Sequence, residues 1–243
     1  TLYFTGSGTS CGGRELWKTD GTSDGTVCVK DIRPGSTSSD IDAFTVAGGT
    51  LFFRANDGTH GNELWKSDGT EDGTVLVKDI SSTGTVSNRI VSFGNIVYFG
   101  ANDGSIGDEL WRSDGTEDGT YLVKDIYPGY GSSNPQQMTL IGDRLFFTAD
   151  DGETGDEVWI SDGTESGTVL VANVNQNEYN SNPVEYVKLG NLIVFAAHLG
   201  TQRLVSYDPT DILYHSNEGM HWSISPSLPE GLSLDSTTGE ITG

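Results

Sequence analysis

ELWKSDGTEDGTVLVKDI, residues 63–80, is written four times in this chain with small changes, from Glu15, Glu63, Glu109 and Glu157. Trp17, Trp65, Trp111 and Trp159 mark the copies and stand 48, 46 and 48 residues apart. A repeat of this size denotes one supersecondary unit that cannot bury its apolar face alone and must stack on its neighbours. Inside the quoted stretch, ELWKS and TVLVKD alternate in side-chain direction and flank DGTEDG, whose two Asp-Gly pairs suit a tight connection. That is a hairpin. On its first arm Glu63, Trp65 and Ser67 share one face, which sends Trp65 into the space between layers. Upstream, LFFRA from Leu51 reads as a strand closed by the turn NDGTHGN at Asn56. Downstream, RIVSF from Arg89 reads as a fourth, weaker strand.

Each unit opens on an apolar run: TLYF at Thr1, TLFF at Thr50, IVYF at Ile96 and RLFF at Arg144. The repeats therefore divide the chain at 1–49, 50–95, 96–143 and 144–191. Four antiparallel strands in about 47 residues match a β-propeller blade, and the expected fold is an all-β, propeller-like array. A linear β-solenoid, stacking the same units along an axis, is the alternative. A fifth unit begins at Leu192, but RLVSYDPT from Arg203 lacks the Trp and the Asp-Gly turn, so 192–211 reads as a degenerate blade or cap. From 212 to 243 the composition turns Pro- and Ser-rich without a repeat. Because the chain opens at a unit boundary on Thr1, it is expected to be a fragment or a processed product.

Composition narrows the function classes. Only 34% of the residues are hydrophobic and 33 are glycine, as many short strands and tight turns require. The longest apolar run, Leu192 to Ala197, falls far short of the roughly 20 residues that cross a bilayer, so no membrane insertion is expected. With 35 acidic against 13 basic residues the formal charge is −22, which disfavours nucleic acid as a partner. Cys11 and Cys28, the two cysteines, both fall in the first unit, with Cys28 standing where Leu76, Leu122 and Leu170 stand later. A disulfide between them would stabilise that unit and imply an oxidising, extracellular setting.

ELWKTDGT, ELWKSDGT, ELWRSDGT and EVWISDGT, in phase over residues 1–191, resemble the ELWxxDGT-repeat family of bacterial and archaeal secreted or surface proteins. The resemblance implies a large extracellular repeat protein and little chemistry. SISPSLPEGLSLDSTTGEITG, closing the chain, is similar to the opening of immunoglobulin-like or cadherin-like modules, which are commonly strung in adhesive surface proteins.

Carboxylates recur in register. Asp57, Asp103 and Asp151 lie in the first loop, and Asp68, Asp114 and Asp162 in the hairpin turn. Loops this rich in Asp, Asn and Gly could supply oxygen ligands to Ca2+, the one cofactor the sequence suggests. The simpler alternative is that these side chains accept backbone N–H bonds in their own turns. Glu15, Glu63 and Glu109 are expected to pair across the hairpin with Lys30, Lys78 and Lys124. A repeated acid is a structural acid, whereas glycoside hydrolysis needs one asymmetric pair of carboxylates. His60, His198, His215 and His221 show no metal-ligand spacing, and no nucleophile elbow or phosphate loop occurs, so no catalytic residue is nominated. The expected function is a non-catalytic extracellular scaffold for adhesion or surface assembly. Its expected partners are copies of itself or other surface proteins, engaged by strand addition from the C-terminal segment. A lectin-like propeller binding glycans through Tyr127, Tyr130 or Tyr179 is the alternative, and a secreted glycosidase the third reading.

Overall fold

In a computed structural model the described residues are 1–81, 85–174, 180–190, 192–198, 202–207, 233–234 and 241–242. They are all strand, turn and loop, with no helix. The chain divides into two compact units, Thr1–Asn134 and Pro135–Gly243.

Within the first unit, sheet 1 comprises β1 (Leu2–Gly8), β2 (Cys11–Thr19) and β3 (Val27–Lys30). Sheet 2 runs β4 (Asp42–Ala47), β5 (Thr50–Asn56), β6 (Asn62–Ser67) and β7 (Val75–Leu76). Sheet 3 repeats that order with β8 (Val86–Phe93), β9 (Ile96–Ala101), β10 (Glu109–Ser113) and β11 (Tyr121–Lys124). Within the second unit, sheet 4 holds β12 (Gln136–Ile141), β13 (Arg144–Asp150), β14 (Asp156–Ser161) and β15 (Val169–Ala172). Sheet 5 holds β16 (Val184–Leu189), β17 (Leu192–His198) and β18 (Gln202–Tyr207), and a short pair joins β19 (Ser233–Leu234) to β20 (Ile241–Thr242). Every sheet is an antiparallel meander in chain order, unlike a β-solenoid, where successive coils pair in parallel.

The sheets are phased one strand earlier than the sequence units. RIVSF lies in β8, which pairs with β9 rather than with β7. Boundaries expected at 49/50, 95/96, 143/144 and 191/192 fall inside the first hairpin of each sheet, where Ala47 pairs with Thr50, Phe93 with Ile96, Ile141 with Arg144 and Leu189 with Leu192. These are two-residue turns, and in the first of them Gly48 and Gly49 both take positive φ, as such turns demand. A two-residue turn pairs its flanking strands at minimal loop cost, so the apolar run at the start of each sequence unit is the second strand of its sheet.

Neighbouring sheets stack through apolar faces. Phe53, Ala55 and Trp65 of sheet 2 bury against Leu16 and Val29 of β2 and β3 and against Ile32, which follows β3. Phe99, Ala101 and Trp111 of sheet 3 bury against Ala47, Phe52, Leu64 and Val77. In the second unit Ile193, Phe195 and Ala197 of sheet 5 cover Phe146, Val158 and Ile160 of sheet 4. Each fully buried aromatic or branched side chain contributes about 1.5–3 kcal/mol, so these faces carry most of the stability of the stack. Trp65 and Trp111 fill the space between sheets, as their place on the hairpin arm predicts.

The first strand of a sheet carries a bulge. Register slips between Asp42 and Thr45, between Gln136 and Thr139 and between Val184 and Val187. Ala43, Gln137 and Glu185, the extra residues, hold φ near +55°, a conformation that side chains with a Cβ seldom adopt.

Candidate functional site

The repeated acid is the best-defined polar feature of each sheet. Glu109 opens β10, Glu63 and Glu157 stand second in β6 and β14, Glu15 lies within β2, and all four are buried. Glu109 accepts from the main-chain N–H groups of Ile126 at 2.8 Å, Ser133 at 3.0 Å and Tyr127 at 3.4 Å, and from the Ser133 hydroxyl at 2.6 Å. Glu15 accepts from Ile32 N at 3.0 Å and Ser39 N at 3.1 Å. Glu157 accepts from Val174 N at 2.9 Å and the Ser181 hydroxyl at 2.6 Å. Each acid thus ties the loop leaving its own sheet to the strand entering the next. Burial raises the carboxyls of Glu15 and Glu109, and these N–H and O–H donors pull them back down.

Glu63 departs from this pattern. Its Oε1 accepts from Ser81 N at 3.2 Å, while its buried Oε2 has no partner among the described residues. Desolvation pushes its carboxyl up to about 7. This sheet is the one whose repeat is 46 residues long, two fewer than the others. In the other three sheets a serine lies 24 residues after the acid and meets it; Ser87 stands at the same offset from Glu63 but within β8, where its hydroxyl accepts from Gly100 N at 3.2 Å. Those serines, Ser39, Ser133 and Ser181, each followed by Asp40, Asn134 or Asn182, were missed in reading the sequence, and their constant offset from the glutamate was the available signal.

Among the described residues the expected pairs of Glu15 with Lys30 and Glu63 with Lys78 do not form, because the bulge in the hairpin sets Lys30 opposite Leu16 and both lysines reach the following sheet. Lys30 donates to Glu71 O at 3.2 Å and Lys78 to Thr120 O at 2.7 Å. Lys18 donates to Gly69 O at 2.7 Å and Lys66 to Gly115 O at 2.6 Å. A charged donor on one sheet thus grips the SDGT turn of the next. At the corresponding place in sheet 4 stands Ile160, buried against sheet 5, whose sequence has no SDGT turn to grip.

The aspartates are occupied in their own turns. Asp68 Oδ1 accepts from Thr70 N at 2.8 Å and Thr70 Oγ1 at 2.7 Å, and Thr70 Oγ1 in turn accepts from Gly73 N at 3.0 Å. Asp114 and Asp162 repeat the arrangement with Thr116 and Thr164. The threonine hydroxyl, then its N–H, holds all three carboxyls below their ordinary value. A Cβ on Gly73, Gly119 or Gly167 would overlap the facing carboxylate and push the aspartate out of its turn. Asp57, Asp103 and Asp151 cap the first loop by accepting two main-chain N–H bonds each. Asp57 also meets His60 Nδ1 at 2.7 Å. Desolvation opposes ionisation of Asp57 and Asp103, but the N–H groups of His60 and Ile106 hold both low. The structure does not bring the six candidate Ca2+ ligands together, and no three His, Cys, Asp or Glu side chains converge among the described residues.

Cys11 and Cys28 form a disulfide, with Cα atoms 6.3 Å apart. Cys11 opens β2, where it pairs with Gly8 of β1, rather than lying in a loop before the strand. Tyr130 is 90% exposed, Tyr127 lies over Gly131, and Tyr179, His215 and His221 lie outside the described residues.

No protein-family model and no curated protein matches this sequence. Solved structures do match. One, from a structural and mechanistic analysis of two prolyl endopeptidases, aligns with 86% of this chain at a TM-score of 0.52 and 12% identity. A puromycin hydrolase S511A mutant complexed with PGG aligns with 81% at a TM-score of 0.50 and 13% identity. The sheets are propeller blades. The chain spans about a third of the length of these two structures, 32% of each, and at this identity the likeness concerns the fold alone.

Proposed function

We propose that this chain is a non-catalytic extracellular repeat scaffold of the ELWxxDGT type, used in adhesion or surface assembly through strand addition. The observation that carries the reading is that each described sheet is a separate short meander ending on edge strands, such as β4 and β7 of sheet 2, which pair on one side only. An extended segment can add to such an edge through main-chain hydrogen bonds, with side-chain alternation setting its register. The C-terminal segment, residues 212–243, is the proposed donor to a neighbouring molecule. A disulfide between Cys11 and Cys28 suits an oxidising compartment, and no helix among the described residues is long and apolar enough to cross a membrane. A non-catalytic role is supported by the repeated carboxylates, whose oxygens face main-chain donors rather than an open cleft. The test is deletion of 212–243. Loss of assembly in light scattering and electron microscopy is expected, and unchanged assembly refutes strand addition by the tail.

Glycan binding is a second reading, favoured by the exposed ring of Tyr130. It requires saturable binding on a glycan array that Tyr130→Ala abolishes, and a blank array refutes it.

A further inference from the structure

Aspartate followed by glycine occurs ten times in the chain. The pair is chemically fragile in water, because glycine has no side chain to keep its nitrogen away from the preceding carboxyl carbon. The nitrogen attacks Cγ, a C–N bond forms as the bond from Cγ to the carboxyl hydroxyl breaks, and that hydroxyl leaves as water with the nitrogen's proton. A second water opens the five-membered ring at the main-chain carbonyl, after which the chain runs through Cβ as isoaspartate. One water is released and one taken up, and no other reactant is needed. Two conditions must be met. The glycine N–H must be free of an acceptor, and the carboxyl must be neutral and able to turn toward it, since an ionised carboxylate has no hydroxyl to lose.

The fold opposes the first condition at every pair. All ten glycine N–H groups donate to a side-chain oxygen two or three residues earlier, as Gly69 does to Ser67 Oγ at 2.9 Å and Gly73 to Thr70 Oγ1 at 3.0 Å. It opposes the second at seven. Asp20 accepts from Thr22 N at 2.9 Å and Thr22 Oγ1 at 2.7 Å, as Asp68, Asp114 and Asp162 accept in their turns, and Asp57, Asp103 and Asp151 are engaged in the first loop. Those bonds fix the carboxylate in its ionised form and hold it in place. Asp24, Asp72 and Asp118 are exposed, and among the described residues they make no hydrogen bond or ion pair. Nor does the turn depend on them. Sheet 4 has Ser166 at that place and keeps the same geometry, with Gly167 N donating to Thr164 Oγ1 at 3.0 Å and Thr168 N to Glu165 O at 3.2 Å.

We infer that Asp24, Asp72 and Asp118 are the isomerisation sites of the folded chain, and that its other seven Asp-Gly bonds are shielded by their turns. One hydrogen bond, from the glycine N–H to a threonine Oγ1, stands between each of the three and reaction. At two of them the product falls on a junction between sheets. Glu71 O, beside Asp72, accepts from Lys30 Nζ at 3.2 Å, and Glu117 O, beside Asp118, accepts from Lys78 Nζ at 3.4 Å. An extra main-chain atom in so tight a turn moves that carbonyl off its lysine, so ageing loosens the grip of one sheet on the next. The inference goes beyond the scaffold reading and does not depend on it.

Peptide mapping of the intact chain, stored with its disulfide closed for weeks at physiological pH and temperature, tests it. Isoaspartate is located by electron-transfer fragmentation and quantified with an isoaspartyl methyltransferase. A reduced, urea-unfolded sample is the control and should react at all ten bonds. The folded chain should react at Asp24, Asp72 and Asp118, each at least about fivefold faster than any shielded bond, the rate factor of one further hydrogen bond. Thr70→Val takes the acceptor from Gly73, so it should raise the rate at Asp72 about fivefold and leave Asp118 as it was. Asp72→Ser, copying Ser166, should remove the product there and nowhere else. Isoaspartate spread evenly over the folded chain, product at Asp68, Asp114 or Asp162 ahead of Asp72 and Asp118, or none at the three sites once the unfolded control has reacted would each overturn the inference. The wild-type map decides by itself if Thr70→Val fails to fold.

Discussion

Replacing Glu109 should cost far more than the same change at Glu63. Glu109 satisfies the buried N–H groups of Ile126 and Ser133 together with the Ser133 hydroxyl. Glu109→Ala leaves both N–H groups without an acceptor. At about 1–3 kcal/mol for each buried donor so orphaned, the loss centres near 4 kcal/mol. With a urea slope of about 2 kcal/mol/M, the midpoint should fall by about 2 M. Glu109→Gln sets an amide nitrogen against one of those donors and should lose about half as much. Glu63 makes one 3.2 Å bond and its second oxygen has no partner among the described residues. Its carboxyl, shifted to about 7, is largely half-neutral at physiological pH. Glu63→Gln copies the neutral acid, so it should cost less than about 1 kcal/mol below pH 4.5 and be the more stable protein at pH 7. Equilibrium urea unfolding followed by tryptophan fluorescence measures all three. Equal losses at Glu63→Gln and Glu109→Gln, or a loss below about 1 kcal/mol for Glu109→Ala, would show that these acids do not hold the inter-sheet loops.

The Glu63 carboxyl is raised in the folded state from 4.5 to about 7, so its stabilisation is complete below pH 4.5 and disappears as pH rises through 7. Wild type should lose about 3 kcal/mol across that window and Glu63→Gln should not, and coincident pH–stability profiles would disprove the assignment. Reducing the disulfide, which closes a loop of 17 residues, should lower stability by about 3 kcal/mol in a melt with and without reductant. Ile160→Lys should cost about 3 kcal/mol or more by burying a charge where no turn carbonyl waits, while Lys66→Ile should cost about 1 kcal/mol, as denaturant midpoints would report. Millimolar Ca2+ against EDTA should leave the melting temperature unchanged, since the six candidate aspartates are engaged in their turns, and an upward shift would reveal an ion site.

Much of this architecture was legible from one line of sequence. Alternation on either side of DGTEDG, repeated at a nearly constant period, determined antiparallel hairpins, all-β class and a stack of four-stranded sheets, because each repeat has an apolar face that only another repeat can cover. Trp65 and Trp111 were placed between sheets for the same reason. Cys11 and Cys28 were paired from their confinement to one unit, and the geometry agrees. Where a sheet begins was not legible. Both connections around each apolar run look like turns in sequence, and only the pairing of Ala47 with Thr50 decides that the strand before Gly48 belongs with the strand after it.

The partners of the polar residues were decided by tertiary structure alone. Glu109 and Lys124 are near in sequence and opposite in charge, which is all that a hairpin reading can weigh. Burial reverses the choice. In the folded protein the acid lies where the loop 17 to 24 residues onward turns its N–H groups inward, and the free energy of leaving those donors unpaired exceeds that of a solvated ion pair. Lysines such as Lys18 and Lys66 meet instead a carbonyl on the adjoining sheet, about 50 residues away. The sequence by itself determined which segments form strands and which faces must be covered, because alternation and turn chemistry are local. Tertiary structure decided what each buried charge touches, because that depends on residues brought close only when the sheets stack.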